Sequence, residues 1–172
     1  MHEKIIEAVH AAAGEVFSTM IGMPLQLADN PGGQAAPHGG VLAVIGLAGP
    51  WVGTGAVCCT ASVARKVASA LLMTEFESVD REVLDAIAEI CNMIIGNVKA
   101  ALEPEVGTLG LSTPTVIYGE DFVARSLPVS ERTVVPLLCE GERFDVIVEL
   151  RPNTGAGRSA AMATVGGNHT AR

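Results

Sequence analysis

Five residues between positions 85 and 99 have the types and spacing that could do chemistry. Asp85, Glu89, Asn92, Gly96 and Lys99 recur every three or four residues. On an α-helix, at about 100° per residue, they fall within about 80° of one another. That face offers two carboxylates, an ammonium and an amide. A carboxylate accepts hydrogen bonds, an ammonium donates them, and an amide does both at once. Asn and Gly are poorer helix formers than Ala by several tenths to about 1 kcal/mol each. Both stand on the polar face of the most regular helix in the chain, where helix stability alone would not select them. Gly96, one turn beyond Asn92, also leaves room for another protein's backbone. A Glu and an Asn three residues apart are common on solvated helix faces, so the pattern gains meaning only from its surroundings.

Other candidates are weaker. Cys58, Cys59, Cys91 and Cys139 form no C-x-x-C pair. Adjacent Cys58 and Cys59 point to opposite faces of a strand and do not readily share a metal. Cys91 neighbours Asn92 but belongs to the apolar stripe of its helix, which makes it a structural thiol rather than a nucleophile. The histidines at 2, 10, 38 and 169 are scattered, without metal-ligand spacing. Gly53-Thr54-Gly55 lacks the following helix and lysine that a phosphate cradle requires, so these glycines are expected to permit close packing or a bulge. Trp51 is expected in the core or the hairpin.

Composition narrows the class. The chain has 172 residues, 49% apolar, 17% charged and 3% aromatic, with a formal charge of −8. This length suits one domain with an aliphatic core and excludes disorder over the whole length. The acidic balance and the shortage of stacking rings disfavour nucleic acid. No apolar run is long enough to span a bilayer as a helix. The start, MHEKIIEAVH, is a charged amphipathic segment rather than a secretory signal. A cytoplasmic protein with reduced thiols and no metal of its own is expected.

These residues need elements to hold them. Residues 3–20 carry apolar side chains at helical spacing, stopped by Gly22 and Pro24. Pro24 to Asp29 reads as a short edge strand, followed by a loop at Asn30-Pro31-Gly32-Gly33. Gly40–Gly46 and Trp51–Thr60 read as a hairpin around Ala48-Gly49-Pro50. Thr60 caps a helix to about Met73. Ser78 or Asp80 caps a longer one from Val79 to about Leu102, ended by Pro104, with Leu84, Ile87, Ala88, Cys91, Ile94, Ile95, Val98 and Leu102 inward. Three strands follow at Ser112–Tyr118, Val129–Cys139 and Phe144–Arg151, the last two joined at Glu140-Gly141-Glu142-Arg143. Pro136 calls for an edge position or a bulge. The order α-βββ-αα-βββ predicts an α+β domain with helices packed on a largely antiparallel sheet. The aperiodic residues 152–172 are expected to form a tail outside a domain of residues 1–151.

The pattern of Asp85, Glu89 and Asn92, followed by a loop and Pro114 opening the next strand, resembles the signature of the CheC/CheX/FliY family. The stretch DAIAEICNMIIGNVKAAL is especially similar to the CheX branch, and the element order agrees to about Arg151. Asn92 and Pro114 are separated by 21 residues, one fewer than the family commonly has. The resemblance implies a phosphatase of a phosphorylated CheY-type response regulator, with Glu89 and Asn92 catalytic. It implies that Asn92 orients the attacking water and that Glu89 pairs with the lysine a receiver carries beside its phosphorylated aspartate. Asp85, Gly96, Lys99 and Pro114 become partner contacts, and Mg2+ is brought by the receiver. One copy of the motif points to a homodimer presenting two sites. A non-catalytic receiver-binding adaptor or a flagellar-switch-associated domain is the alternative.

Overall fold

The computed structural model describes residues 1–28, 40–120, 122 and 131–154. The hairpin around Gly49-Pro50 forms: β2 (Gly40–Ala48) pairs antiparallel with β3 (Trp51–Cys59), Val41 opposite Cys59 and Leu47 opposite Gly53. A second hairpin joins β6 (Glu131–Cys139) to β7 (Glu142–Pro152). Its turn is only Glu140-Gly141, both in the left-handed region at φ 49° and 79°. That geometry matches the twist of the flanking strands. The two hairpins meet where β3 pairs with β7. β1 (Leu25–Leu27) lies along β6, while β4 (Gly110–Leu111) and β5 (Thr115–Gly119) share the outer edge of β2. The sheet runs β1-β6-β7-β3-β2-β4, with β5 also on β2, and every pairing is antiparallel.

α1 (His2–Val16) continues into a π-helical turn, Phe17–Ile21, which Gly22 ends at φ 72°. α2 (Ala61–Leu72) and α3 (Arg81–Val106) follow β3. The side chains of Thr60 and Asp80 accept from the amides of Val63 and Val83, so Asp80 rather than Ser78 caps α3. The core lies between the three helices and one face of the sheet, where Phe17 and Phe144 meet edge to face at 4.9 Å. Aliphatic side chains supply nearly all the rest of the core, as the composition requires. On the opposite face Leu42, Ala56, Cys58 and Ile147 form a smaller cluster with Phe122 packed against it.

Four expectations change. Of the strand foreseen at Ser112–Tyr118 only the part from Thr115 forms, as β5, and β4 is a further short strand before it, giving seven in all among the described residues. Between them Ser112, Thr113 and Pro114 oppose only Ile45 and Gly46 of β2, an extra residue that the ladder cannot pair. The Ser112 hydroxyl accepts from the Gly46 amide at 2.8 Å and replaces a backbone bond there. Secondly, Pro104 does not end α3. It sits in the last turn, and the series Val98, Leu102, Val106 stays buried until Gly107 at φ 79°. Thirdly, Leu84 and Ala88 are only half-buried, and Val83, Ala86 and Ile90 are buried instead. The buried stripe drifts around α3 along its length, and sequence spacing does not fix that drift. Finally, β7 runs through Pro152, and Asn153 donates from its amide to Pro50 and from its side chain to Gly49. Residues 155–172, Asn30-Pro31-Gly32-Gly33, His38, His169 and Val129 lie outside the described residues.

Pro136 falls within β6 opposite Asp145. Its carbonyl accepts from Ala28, just past the three residues of β1. The side where its N–H would lie is therefore the edge side, beyond the last paired residue of β1, and the pairing with β7 loses no bond.

Glu142 ties the start of α2 to the β6–β7 turn. Its carboxylate accepts from Lys66 at 2.8 Å, Ser62 at 2.9 Å and Thr60 at 3.1 Å. Those hydrogen bonds, Lys66 first and then Ser62, hold its carboxyl below the ordinary glutamate range against the opposing effect of burial. The stability so contributed is complete above the ordinary glutamate pKa and is lost as pH falls through the lower folded value. Glu142→Gln is expected to cost about 1 kcal/mol at neutral pH, after solvent screening. The difference from the parent should shrink towards acid pH in urea melts, and a cost independent of pH would refute the assignment.

Candidate active site

Seating of α3 on the sheet decides which of its faces is available. α3 lies against β2, β3 and β5 and is flanked by α1 and α2. Ile95 nests where Gly55 of β3 has no side chain: a Cβ there would stand 2.6 Å from Ile95 Cγ2. Gly53 is equally closed, facing the Glu149 carbonyl across the ladder. These are close-packing glycines and not a phosphate cradle. The Cys91 thiol is buried and directed at the Ala43 carbonyl at 3.5 Å. Burial pushes it up to about 12 and the Cys58 thiol to about 11, so neither is a ready nucleophile. Cys58 and Cys59 are both buried, Cys59 in the main core and Cys58 on the opposite face of the sheet. Trp51 packs half-buried against the main core.

With that seating, the stripe of Asp85, Glu89, Asn92, Gly96 and Lys99 faces outward on one continuous helix. Asp85 and Glu89 are exposed; Asn92, Gly96 and Lys99 are half-buried. One end of the stripe is already engaged within the chain. Arg81 approaches Asp85 at 3.7 Å, across exposed side chains where such a pair contributes little. At the other end Lys99 donates to Glu103 at 2.9 Å. Both pairs have the i, i+4 spacing that sequence alone could have shown. Between them, the side chains of Glu89 and Asn92 make no hydrogen bond or ion pair among the described residues. On a helix their Cβ atoms stand about 5–6 Å apart, one turn along the same face. A carboxylate and an amide so placed can together hold a cation and a water molecule presented by a docked partner.

Gly96 gives this surface a low point. A Cβ there would meet only Leu111 Cδ1, at 4.0 Å. Pro114 lies three residues beyond Leu111, in the irregular stretch between β4 and β5, half-buried. The structure thus brings the segment leading to Pro114 alongside the Gly96 end of the stripe. Among the described residues, no three His, Cys, Asp or Glu side chains converge as a metal site, and no helix is long and apolar enough to cross a membrane.

Three helices on one face of an antiparallel sheet, with a polar stripe turned outward along the longest of them, define the class of domain. Known proteins share that fold. The family model described as chemotaxis phosphatase CheX matches residues 41–138. A CheY-P phosphatase CheX of Thermotoga maritima is 29% identical over 116 residues, covering 67% of this chain and 74% of that protein. The crystal structure of a chemotaxis protein CheX from Desulfovibrio desulfuricans superposes with a TM-score of 0.72 at 27% identity, covering 86% of this chain and 99% of that one. A CheX-CheY-BeF3-Mg2+ complex from Borrelia burgdorferi gives a TM-score of 0.70 at 26% identity, over 86% and 97%. The chain belongs to the CheX family of chemotaxis phosphatases.

Proposed function

We propose that this protein hydrolyses the aspartyl phosphate of a phosphorylated CheY-type receiver domain, releasing inorganic phosphate and restoring the aspartate. The observation that carries this reading is that Glu89 and Asn92 alone on the stripe have free side-chain groups among the described residues. An aspartyl phosphate is an activated mixed anhydride, so a phosphatase acting on it needs no nucleophile of its own. It needs a water held in line with the phosphorus. The Asn92 carbonyl accepts from that water while its NH2 donates to a phosphoryl oxygen. Glu89 pairs with the receiver lysine and keeps the face in register. Asp85, Gly96, Lys99 and Pro114 contact the receiver around this pair, Gly96 by letting its backbone approach closely.

The Borrelia relative was solved with CheY, BeF3 and Mg2+ together, which supports a receiver that carries its own Mg2+. The reading includes a cytoplasmic homodimer whose domain reaches beyond residue 151 to Asn153, with the residues after it as an appendage. The overall charge of −8 does not select an acidic receiver, so docking rests on local contacts.

The test is phosphate release from phosphorylated CheY-type receivers, with and without this protein. Faster release supports the phosphatase. Tight binding of the phosphorylated receiver with unchanged release would replace it with the adaptor reading.

A further inference from the structure

We propose that Glu103 is a positioning residue for receiver docking, because its carboxylate joins the Lys99 end of the stripe to the loop that carries Leu111 and Pro114. The inference rests on the phosphatase reading and deepens it. One oxygen, Oε1, accepts from Lys99 Nζ at 2.9 Å and from the Leu109 amide at 2.8 Å. The Glu103 main-chain carbonyl accepts from Gly107 at 3.0 Å. Side chain and backbone of one residue thus close the whole turn after α3.

Geometry follows from that closure. Gly107 has φ 79°, and Pro50 Cγ stands 3.1 Å from where its Cβ would lie, so Pro50 also confines the turn. Leu109 is then buried, and the chain leaves it as β4 with Leu111 against Gly96. At the next residue, Ser112 locks to Gly46 through its amide at 3.0 Å and its hydroxyl at 2.8 Å. The stretch from Leu109 to Ser112 is therefore pinned at both ends, and Glu103 is the pin that also holds a stripe residue. Without it, Lys99 is free to swing across Gly96, and Leu111 loses its fixed height beside that low point. The chemistry at Asn92, about three turns from Glu103 on the helix, stays intact. The effect belongs to docking and not to the attack on phosphorus.

Glu103→Ala and Glu103→Gln separate the two links, since the glutamine retains an acceptor for the Leu109 amide but carries no charge for Lys99. Folding of each is checked by circular dichroism. We expect Glu103→Ala to raise KM for the phosphorylated receiver about fivefold with kcat within twofold of the parent, and Glu103→Gln to fall between them. Affinity for a beryllofluoride-loaded receiver, titrated independently of catalysis, should weaken by the same factor. Amide exchange at Leu109 to Ser112 should quicken in the alanine variant. Equal receiver affinity for the parent and a folded Glu103→Ala overturns the proposal. If the parent binds the receiver without accelerating release, the phosphatase reading fails while the affinity comparison still decides on Glu103. A parent that does not bind the receiver at all overturns both.

Discussion

Asn92→Ala is expected to lower the acceleration of phosphate release by at least about 100-fold while leaving the fold intact. The size of the effect comes from the economy of the proposed mechanism. With the activated bond and the metal both on the receiver, the amide is the one group placed to hold water in line. Its removal returns attack to unpositioned solvent. Stability should not fall, because Asn92 is half-buried, has no partner among the described residues and is a weaker helix former than Ala by several tenths of a kcal/mol. Thermal unfolding and phosphate release measured on the same preparation check both halves. A variant as fast as the parent would remove Asn92 from the mechanism, and a variant that melts early would show that Asn92 is structural.

Gly55→Val is expected to destabilise the domain by about 3 kcal/mol. Even a bare Cβ at this position falls 2.6 to 2.8 Å from three atoms of Ile95. Since Ile95 is buried under α3, the helix must rise from the sheet or the isoleucine must leave its rotamer. Either response displaces the stripe, so activity should fall with stability. Ile95→Ala alone should cost about 2–4 kcal/mol through the cavity it leaves. In Gly55→Val/Ile95→Ala the new methyl groups occupy that space. The double variant should therefore be at least about 1 kcal/mol more stable than the sum of the singles predicts. Urea denaturation of the four proteins closes the cycle. Strict additivity would show that the two residues do not share the seat of α3.

Much of the architecture was legible because its signals are local. The β2–β3 hairpin, the Thr60 cap and the long amphipathic helix follow from turn residues, a capping hydroxyl and apolar period, each set within a few residues. The split of β4 from β5 was not legible, because the extra residue exists only relative to the two residues of β2 that oppose it. Pro104 misled for a related reason. A proline is tolerated in the last turn when the buried series continues past it, and Val106 beyond it is still buried.

The sequence by itself determined the stripe, since residues three and four apart on a helix share a face whatever packs behind them. It also brought out the family resemblance through Asp85, Glu89 and Asn92. The pairs that engage Asp85 and Lys99 are local as well, whereas what lies beside the stripe and which way it faces came from tertiary structure. Glu103 meets both Lys99 and the Leu109 amide because the chain turns back after α3. The direction in which α3 presents its polar face depends on Ile95 entering the space left by Gly55, a contact across 40 residues of sequence. Helical periodicity is a property of one segment, whereas the height and rotation of a helix on a sheet come from side chains that meet only after folding.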